Sequence, residues 1–335
     1  MKNSLFLLGA AAVVALSSCT KNEVLEVAEN RAIGFDAFTP NGTRAVNDIT
    51  GNGRETSPTF NKFYVYGSYA NETANTTSYA NETANTTVVF NGETVSYNSG
   101  WGYSPAQYWQ NGNYKFAAYS NGNEKINEGV TYTHDGGLQI ANYTVGTSDL
   151  LYATATADVE DKTKYDKSVD FTFNHILSKV KFTFDSSSFA DNLHVTVSNL
   201  QIDNSNKIGT YNGSAWASLS GSGAITYNTI DVNASTYTAE ECYVLPQTTE
   251  KLTASFTVTV TDALGATIMT KSFSNVSLNV TNNKTWAAGF VYNYTTELTE
   301  KIIDPDGGQS NPIVFTGTAS VWENNASGDG NLGLK

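Results

Sequence analysis

Val169-Asp170-Phe171-Thr172-Phe173-Asn174-His175-Ile176-Leu177-Ser178-Lys179-Val180-Lys181-Phe182-Thr183-Phe184 alternates apolar and polar side chains with a period of two. That is the pattern of strands with one face in a core. Up to Phe173 the apolar residues hold odd positions, and from Ile176 through Val180, Phe182 and Phe184 they hold even ones. A one-residue slip turns every side chain to the other face, so the change of parity predicts a bulge, or a strand that ends and restarts, near Asn174-His175. The alternation recurs in Leu193/Val195/Val197, Leu252/Ala254/Phe256/Val258/Val260 and Tyr292/Tyr294/Thr296/Leu298. Amphipathic helical periodicity is hard to find, and Asn, Gly, Ser and Asp punctuate the short runs. The chain reads as all-β, built of antiparallel β-sandwiches.

Outward from that stretch, length and composition set the organisation. The chain has 335 residues, a formal net charge of −13 with 19 Lys+Arg, 40% hydrophobic and 12% aromatic residues. Such a length predicts two domains with ample material for cores. No basic stretch could neutralise phosphates, which excludes nucleic acid as a partner. The charged segment 158–167 lacks large aliphatic residues after Val159 and reads as a linker, so the boundary is expected between residues 165 and 166. Residues 68–77, SYANETANTT, are repeated letter for letter at 78–87. A ten-residue insertion would lengthen a strand by about 33 Å, whereas a loop absorbs it at small entropic cost. The duplication is therefore expected in a loop between the strands around residues 63–66 and 88–90.

The amino terminus carries its own instruction. Lys2 supplies a positive start, residues 5–16 form an apolar run too short to span a bilayer as a permanent helix, and Leu16-Ser17-Ser18-Cys19 follows. This reads as a lipoprotein signal peptide over 1–18, removed so that Cys19 becomes the lipidated first residue on a membrane. Only one other cysteine exists, Cys242. With Cys19 committed to lipid no disulfide framework can form, and Cys242 is expected to be a buried apolar-like residue.

In their order and spacing these landmarks resemble the fimbrillin family, subunits of type V pili on Gram-negative outer membranes. The residues that carry the likeness are Ile33-Gly34-Phe35, Thr43-Arg44-Ala45, Trp101-Gly102-Tyr103, Tyr108-Trp109, the run from Tyr114 to Tyr119, and Asp149-Leu150-Leu151-Tyr152-Ala153. Further on come the Phe173 to Val180 block, Tyr243-Val244-Leu245-Pro246-Gln247, and the run from Trp286 to Tyr294. The resemblance implies two tandem transthyretin-like sandwiches, here 45–165 and 166–335, after a tether and removable first strand at 19–44. It implies an outer-membrane lipidated precursor, trimming by an Arg-specific protease, and polymerisation into a cell-surface fimbrium with other pilus subunits. In that assembly the carboxy-terminal segment of one subunit fills the groove left by its neighbour's lost strand.

The residues themselves fit such an exchange. Arg44 and Ala45 lie in the turn-rich stretch Pro40-Asn41-Gly42-Thr43-Arg44-Ala45, the kind of exposed segment that proteases nick. Cutting there frees a short strand whose apolar positions are Ile33, Phe35 and Ala37. Arg31 and Arg54 are other candidate sites, though a cut at Arg31 would leave the strand attached. A candidate donor strand within 313–335 presents Ile313, Phe315, Gly317, Ala319 and Val321, repeating the spacing Ile, Phe, small residue. A groove that held the first peptide could accept the second in the same register, with main-chain bonds for affinity and alternate pockets for register. On this reading Phe315→Asp blocks polymerisation and leaves the monomer folded.

No catalytic constellation competes. His134, His175 and His194 stand apart without metal-ligand spacing, and His175 is expected to make a structural hydrogen bond. Asp304-Pro305-Asp306-Gly307-Gly308 lacks the remaining ligands of a calcium loop. There is no nucleophile elbow, and no metal or cofactor is implied. The alternative is a surface-anchored glycan-binding lipoprotein that stays monomeric, with Trp101, Trp109, Trp286 and Trp322 as stacking platforms.

Overall fold

The computed structural model describes residues 32–38, 61–71, 86–232, 236–238, 241–303 and 312–322. The chain begins with β1 (Phe35–Phe38), β2 (Lys62–Ala70), β3 (Thr86–Tyr97), β4 (Trp101–Gly102) and β5 (Gly112–Asn121). It continues with β6 (Val130–Thr133), β7 (Gly137–Thr144), β8 (Leu150–Val159) and β9 (Val169–Thr172). Past the parity change come β10 (Asn174–His175), β11 (Ser178–Asp185), β12 (His194–Tyr211), β13 (Trp216–Thr226), β14 (Ile230–Val232) and β15 (Thr236–Thr238). Then follow β16 (Cys242–Val244), β17 (Thr253–Thr261), β18 (Thr267–Ser277), β19 (Phe290–Glu297), the single helical turn α1 (Glu300–Ile303) and β20 (Thr316–Val321).

These strands form four sheets. One is the pair β1-β9, and a second has the order β10-β8-β5-β2-β3-β4. The third runs β15-β11-β19-β20 with β16 also on β11, and the fourth runs β18-β17-β12-β7-β6 with β13 and β14 also on β12. The pairing is antiparallel as expected, except that β1 meets β9 and β11 meets β19 in parallel.

The parity change is where the chain leaves one sheet for others. Val169, Phe171 and Phe173 face a core with Ile33, Phe35, Phe63, Phe90, Trp109 and Phe116. Immediately after Phe173, β10 pairs with β8, and β11 then joins β16 and β19 over a different core. That second core is lined by Val180, Phe182, Phe184, Tyr292 and Tyr294 from one sheet and by Val195, Val197, Phe256 and Val258 from the other. It is a β-sandwich. The residues at 169–173, expected beyond the boundary at 165, thus belong to the same core as the first strand.

A third cluster covers the opposite face of the six-stranded sheet. Tyr64, Tyr66, Tyr119 and Tyr152 pack there against Leu138, Ile140, Tyr143, Tyr211 and Leu245. Because both faces of this sheet are covered, β2 has no alternation to show: Phe63, Tyr64, Val65 and Tyr66 are all buried. The β6–β7 hairpin completes the cover and pairs with the far half of the chain, Ile208 opposite Thr144 and Gly209 opposite Tyr143.

Two expectations are revised. The duplicated segment is not wholly loop, since Ser68, Tyr69 and Ala70 end β2 and pair with Val88, Thr87 and Thr86 of β3. Cys242 is half-buried rather than buried, its Sγ 4.0 Å from the Thr226 carbonyl oxygen.

Candidate strand-exchange site

The leading strand lies over the first core by one edge only. Phe35, Asp36, Ala37 and Phe38 stand opposite Val169, Asp170, Phe171 and Thr172, and β1 is the only strand that β9 pairs with among the described residues. Between β9 and β8 no ladder forms although the strands lie side by side, and an open cleft of about 510 Å³ beside them is lined by Ala155, Ala157, Tyr165, Lys167 and Val169. Upstream of β1 the backbone is fixed by Ile33 N–H donating to the Gln107 carbonyl at 2.8 Å and by Val169 N–H donating to Gly34 at 2.8 Å. The Tyr103 hydroxyl donates to the Ile33 carbonyl at 2.8 Å.

The side chains show what this strand fills. Ile33 and Phe35 are buried, and Ala37 is partly buried, so the expected odd face is the inward one. The Phe35 ring is surrounded by Phe63, Phe90, Tyr103, Phe116 and Phe171 at centroid distances of 5.3–6.4 Å. Burying one phenylalanine is worth about 1.5–3 kcal/mol, and each well-placed ring pair adds about 0.5–1.5 kcal/mol. Withdrawal of this strand would open an aromatic slot and deprive β9 of its ladder at once.

The carboxy-terminal segment sits in an analogous berth within its own molecule. β20 is an edge strand, antiparallel to β19 from Thr316 opposite Thr295 to Val321 opposite Phe290. Ile313 and Phe315 are buried, and the Phe315 ring lies 5.3–6.3 Å from Phe182, Phe184, Phe256 and Tyr294. Gly317 is required by close approach: a Cβ there would lie 2.5 Å from both Asn283 Nδ2 and Val280 Cγ2.

The expected donor pattern holds through Ala319, which is partly buried, and then breaks. Val321 is 53% exposed, whereas Trp322 is buried. The reason is a change of contact: Trp322 N–H donates to the Gly289 carbonyl at 2.8 Å, and its indole stacks on His175 at 3.8 Å and 11°. Phe315 is likewise a core residue of its own subunit, so Phe315→Asp would disturb the monomer as well as any donation. Cys19, Arg44, Ala45, the loop at 304–308 and the part of the donor candidate beyond Trp322 lie outside the described residues.

The remaining candidates find structural roles. His175 Nδ1 is 2.6 Å from Asp149 Oδ2, as its place at the parity change foretold. His134 Nδ1 bonds Ser68 Oγ at 2.8 Å, and burial lowers the His134 pKa. Among the described residues no group of three or more His, Cys, Asp and Glu side chains could hold a metal ion. Of the four tryptophans that a glycan platform would use, Trp109, Trp286 and Trp322 are buried. Trp101 is partly buried, its ring 5.0 Å from Phe63. Tyr103 and Gly317 stand in stretches the sequence singled out, but their roles were not legible there, because they depend on groups brought close from distant parts of the chain: the Ile33 carbonyl for Tyr103, and the Asn283 and Val280 side chains for Gly317.

Comparison with known proteins agrees with this framework. The fimbrillin-like family matches residues 43–322. Among solved structures, a fimbrial protein from Bacteroides vulgatus superposes with a TM-score of 0.59 at 18% identity, covering 87% of this chain and 99% of that one. A candidate cell adhesion protein from Bacteroides uniformis superposes with a TM-score of 0.51 at 20% identity, covering 87% of this chain and 98% of that one. At such identities the two structures speak for the fold alone. A comparison with curated proteins returns no match. The family match spans most of the chain, including the strand framework from β2 to β20, and the protein therefore belongs to the fimbrillin-like family.

Proposed function

We propose that this chain is a structural subunit of a type V pilus that polymerises by donor-strand exchange. It serves adhesion as a lipidated outer-membrane precursor that becomes part of a surface fimbrium, the role that membership of its family supports. In this reading 1–18 is the lipoprotein signal, Cys19 carries the lipid, and an Arg-specific protease cuts between Arg44 and Ala45. Two transthyretin-like sandwich units in tandem make up the mature subunit. The packing favours a changeover at 174–177 rather than at 165, because Phe173 still faces the first core and Val180 the second.

The observation that carries the reading is the state of β9, which among the described residues has β1 as its sole ladder partner, a strand whose Phe35 packs among five rings. Once residues 33–37 leave, the slot has the dimensions of an Ile-x-Phe pair, and Ile313 and Phe315 of a second subunit offer that pair. Main-chain bonding to β9 would restore the ladder. The donor must first leave its own berth, so exchange trades one buried segment for another and its driving force is the difference between the two berths.

Treating the purified full-length protein with an Arg-specific protease should yield Ala45 as the new amino terminus by mass spectrometry. It should also yield a ladder of polymers on gels run without boiling. Cleavage at Ala45 that leaves only monomers defeats the exchange mechanism, and an intact Arg44-Ala45 bond in assembled fibres defeats the processing site.

A further inference from the structure

The segment that would be donated is held at home by two contacts that the leading strand lacks. The first is at the third position of the shared pattern. In β1 that position is Ala37, which carries a methyl group and is only partly buried. In the tail it is Gly317, where a Cβ would collide at 2.5 Å with Asn283 Nδ2 and Val280 Cγ2. Asn283 is fully buried, so its amide cannot move out into solvent. The carbonyl of Gly317 accepts a hydrogen bond from Asn282 Nδ2 at 3.2 Å, which draws the tail backbone onto this turn.

The second contact is at the end of β20. Trp322 is 6% exposed, stacked on His175 on one side, with Lys179 Nζ 4.1 Å from its ring centroid and Tyr243 at 5.6 Å. The seat is rigid, since Asp149 Oδ2 holds His175 Nδ1 at 2.6 Å and Glu241 holds Lys179 Nζ at 2.8 Å. An indole between a stacked imidazole and an ammonium gains from both contacts.

We propose that Gly317 and Trp322 form a self-docking lock, which keeps the carboxy-terminal strand in its own subunit until assembly and sets its preference between two berths. This rests on the donor-strand reading above. Glycine at 317 admits the tail to its own berth, which rejects a methyl group, while the leading-strand groove accepts one at Ala37. The tail fits both sites, and the leading strand fits only the groove. Trp322 adds an anchor without a counterpart in the leading segment, where the same spacing from Ile33 falls on Gly42 in the sequence. Gly317→Ala therefore turns the tail into the leading-strand pattern, weakening self-docking without spoiling the fit to a neighbour.

Hydrogen–deuterium exchange on the uncut full-length protein tests the lock. Gly317→Ala and Trp322→Ala should each speed exchange of the amides joining β19 to β20 by about tenfold, with β2 and β5 unchanged, whereas Val321→Ala should not. Adding Val280→Ala and Asn283→Ala together to Gly317→Ala should restore slow exchange, since both side chains meet the new Cβ, which separates relief of the collision from general misfolding. Unchanged exchange in either single variant overturns the lock, as does failure of this added pair to rescue Gly317→Ala. After Arg-specific cleavage, both single variants should polymerise faster than the parent. Equal or slower assembly against a parent that does assemble overturns the restraining role. A parent that is cut at Ala45 and never assembles sinks the donor-strand reading instead, while the exchange data still judge the docking contacts.

Discussion

At the scale of single residues, several buried aromatic side chains find partners for their polar atoms, while the buried Trp109 Nε1 has none in the structure. Trp286 Nε1 donates to Tyr294 Oη at 3.0 Å, and that hydroxyl donates to the Leu278 carbonyl at 3.1 Å, so a fully buried pair keeps its hydrogen bonds. Tyr103 does the same for the leading strand by bonding the Ile33 carbonyl. Tyr103→Phe removes that bond, along with the one its oxygen accepts from Gln107 N–H at 3.1 Å, and keeps the ring beside Phe35, weakening the hold on the strand by about 1 kcal/mol. After cleavage at Arg44, the freed leading peptide should then dissociate about fivefold faster from the variant, measured by size-exclusion chromatography against time. An unchanged rate would mean that the hydroxyl contributes nothing to holding the strand. The tail residues were only partly legible. Ile313 and Phe315 point inward as alternation requires, but Val321 turns out and Trp322 in, because the Gly289 carbonyl and the His175 ring take over where the ladder ends.

Among the elements, strands with one covered face were readable and strands with two were not. β17 buries Ala254, Phe256, Val258 and Val260 and leaves the intervening residues partly exposed, which is what its sequence shows. β2 and β5 bury nearly continuous runs, since the six-stranded sheet lies between two clusters. A continuous run carries no information about which side chain faces which core. The repeat illustrates the opposite limit. Its two copies are identical, so removing residues 78–87 leaves a chain that still offers Ser68-Tyr69-Ala70 to β2 and a Thr-Thr pair ahead of Val88 for β3. The deletion should keep the fold and shift stability by no more than about 1 kcal/mol, in the stabilising direction, because a shorter connection costs less to close. A drop of several kcal/mol in urea denaturation would show that the second copy makes contacts of its own.

For the whole molecule, the tyrosines tie stability to alkaline pH. Burial pushes the pKa values of Tyr114, Tyr152, Tyr211 and Tyr243 up to about 12 from the ordinary 10.0. The same cause raises Tyr227 further still. Between pH 10 and about 12 the unfolded chain has shed phenolic protons that the folded one retains, so the unfolded state binds fewer protons and stability falls as pH rises. The full contribution is present below pH 10 and disappears through the folded values. Denaturation midpoints should therefore drop steeply over that window, together with a late, cooperative rise in tyrosinate absorbance. A gradual rise centred on the ordinary phenol value, with no loss of structure, would contradict this burial.

The sequence by itself determined the strand-rich class, the break at Asn174-His175 and the matched Ile-x-Phe patterns. Each is a local property: side chains alternate along an extended backbone, and a change of parity or a repeated spacing needs no partner to be recognised. Only the tertiary structure decided that β9 depends on β1, that the six-stranded sheet is covered twice, and that the tail needs glycine at 317. Those facts arise where segments far apart in the chain press together. The space left between them is set by both partners at once and is written in neither segment alone.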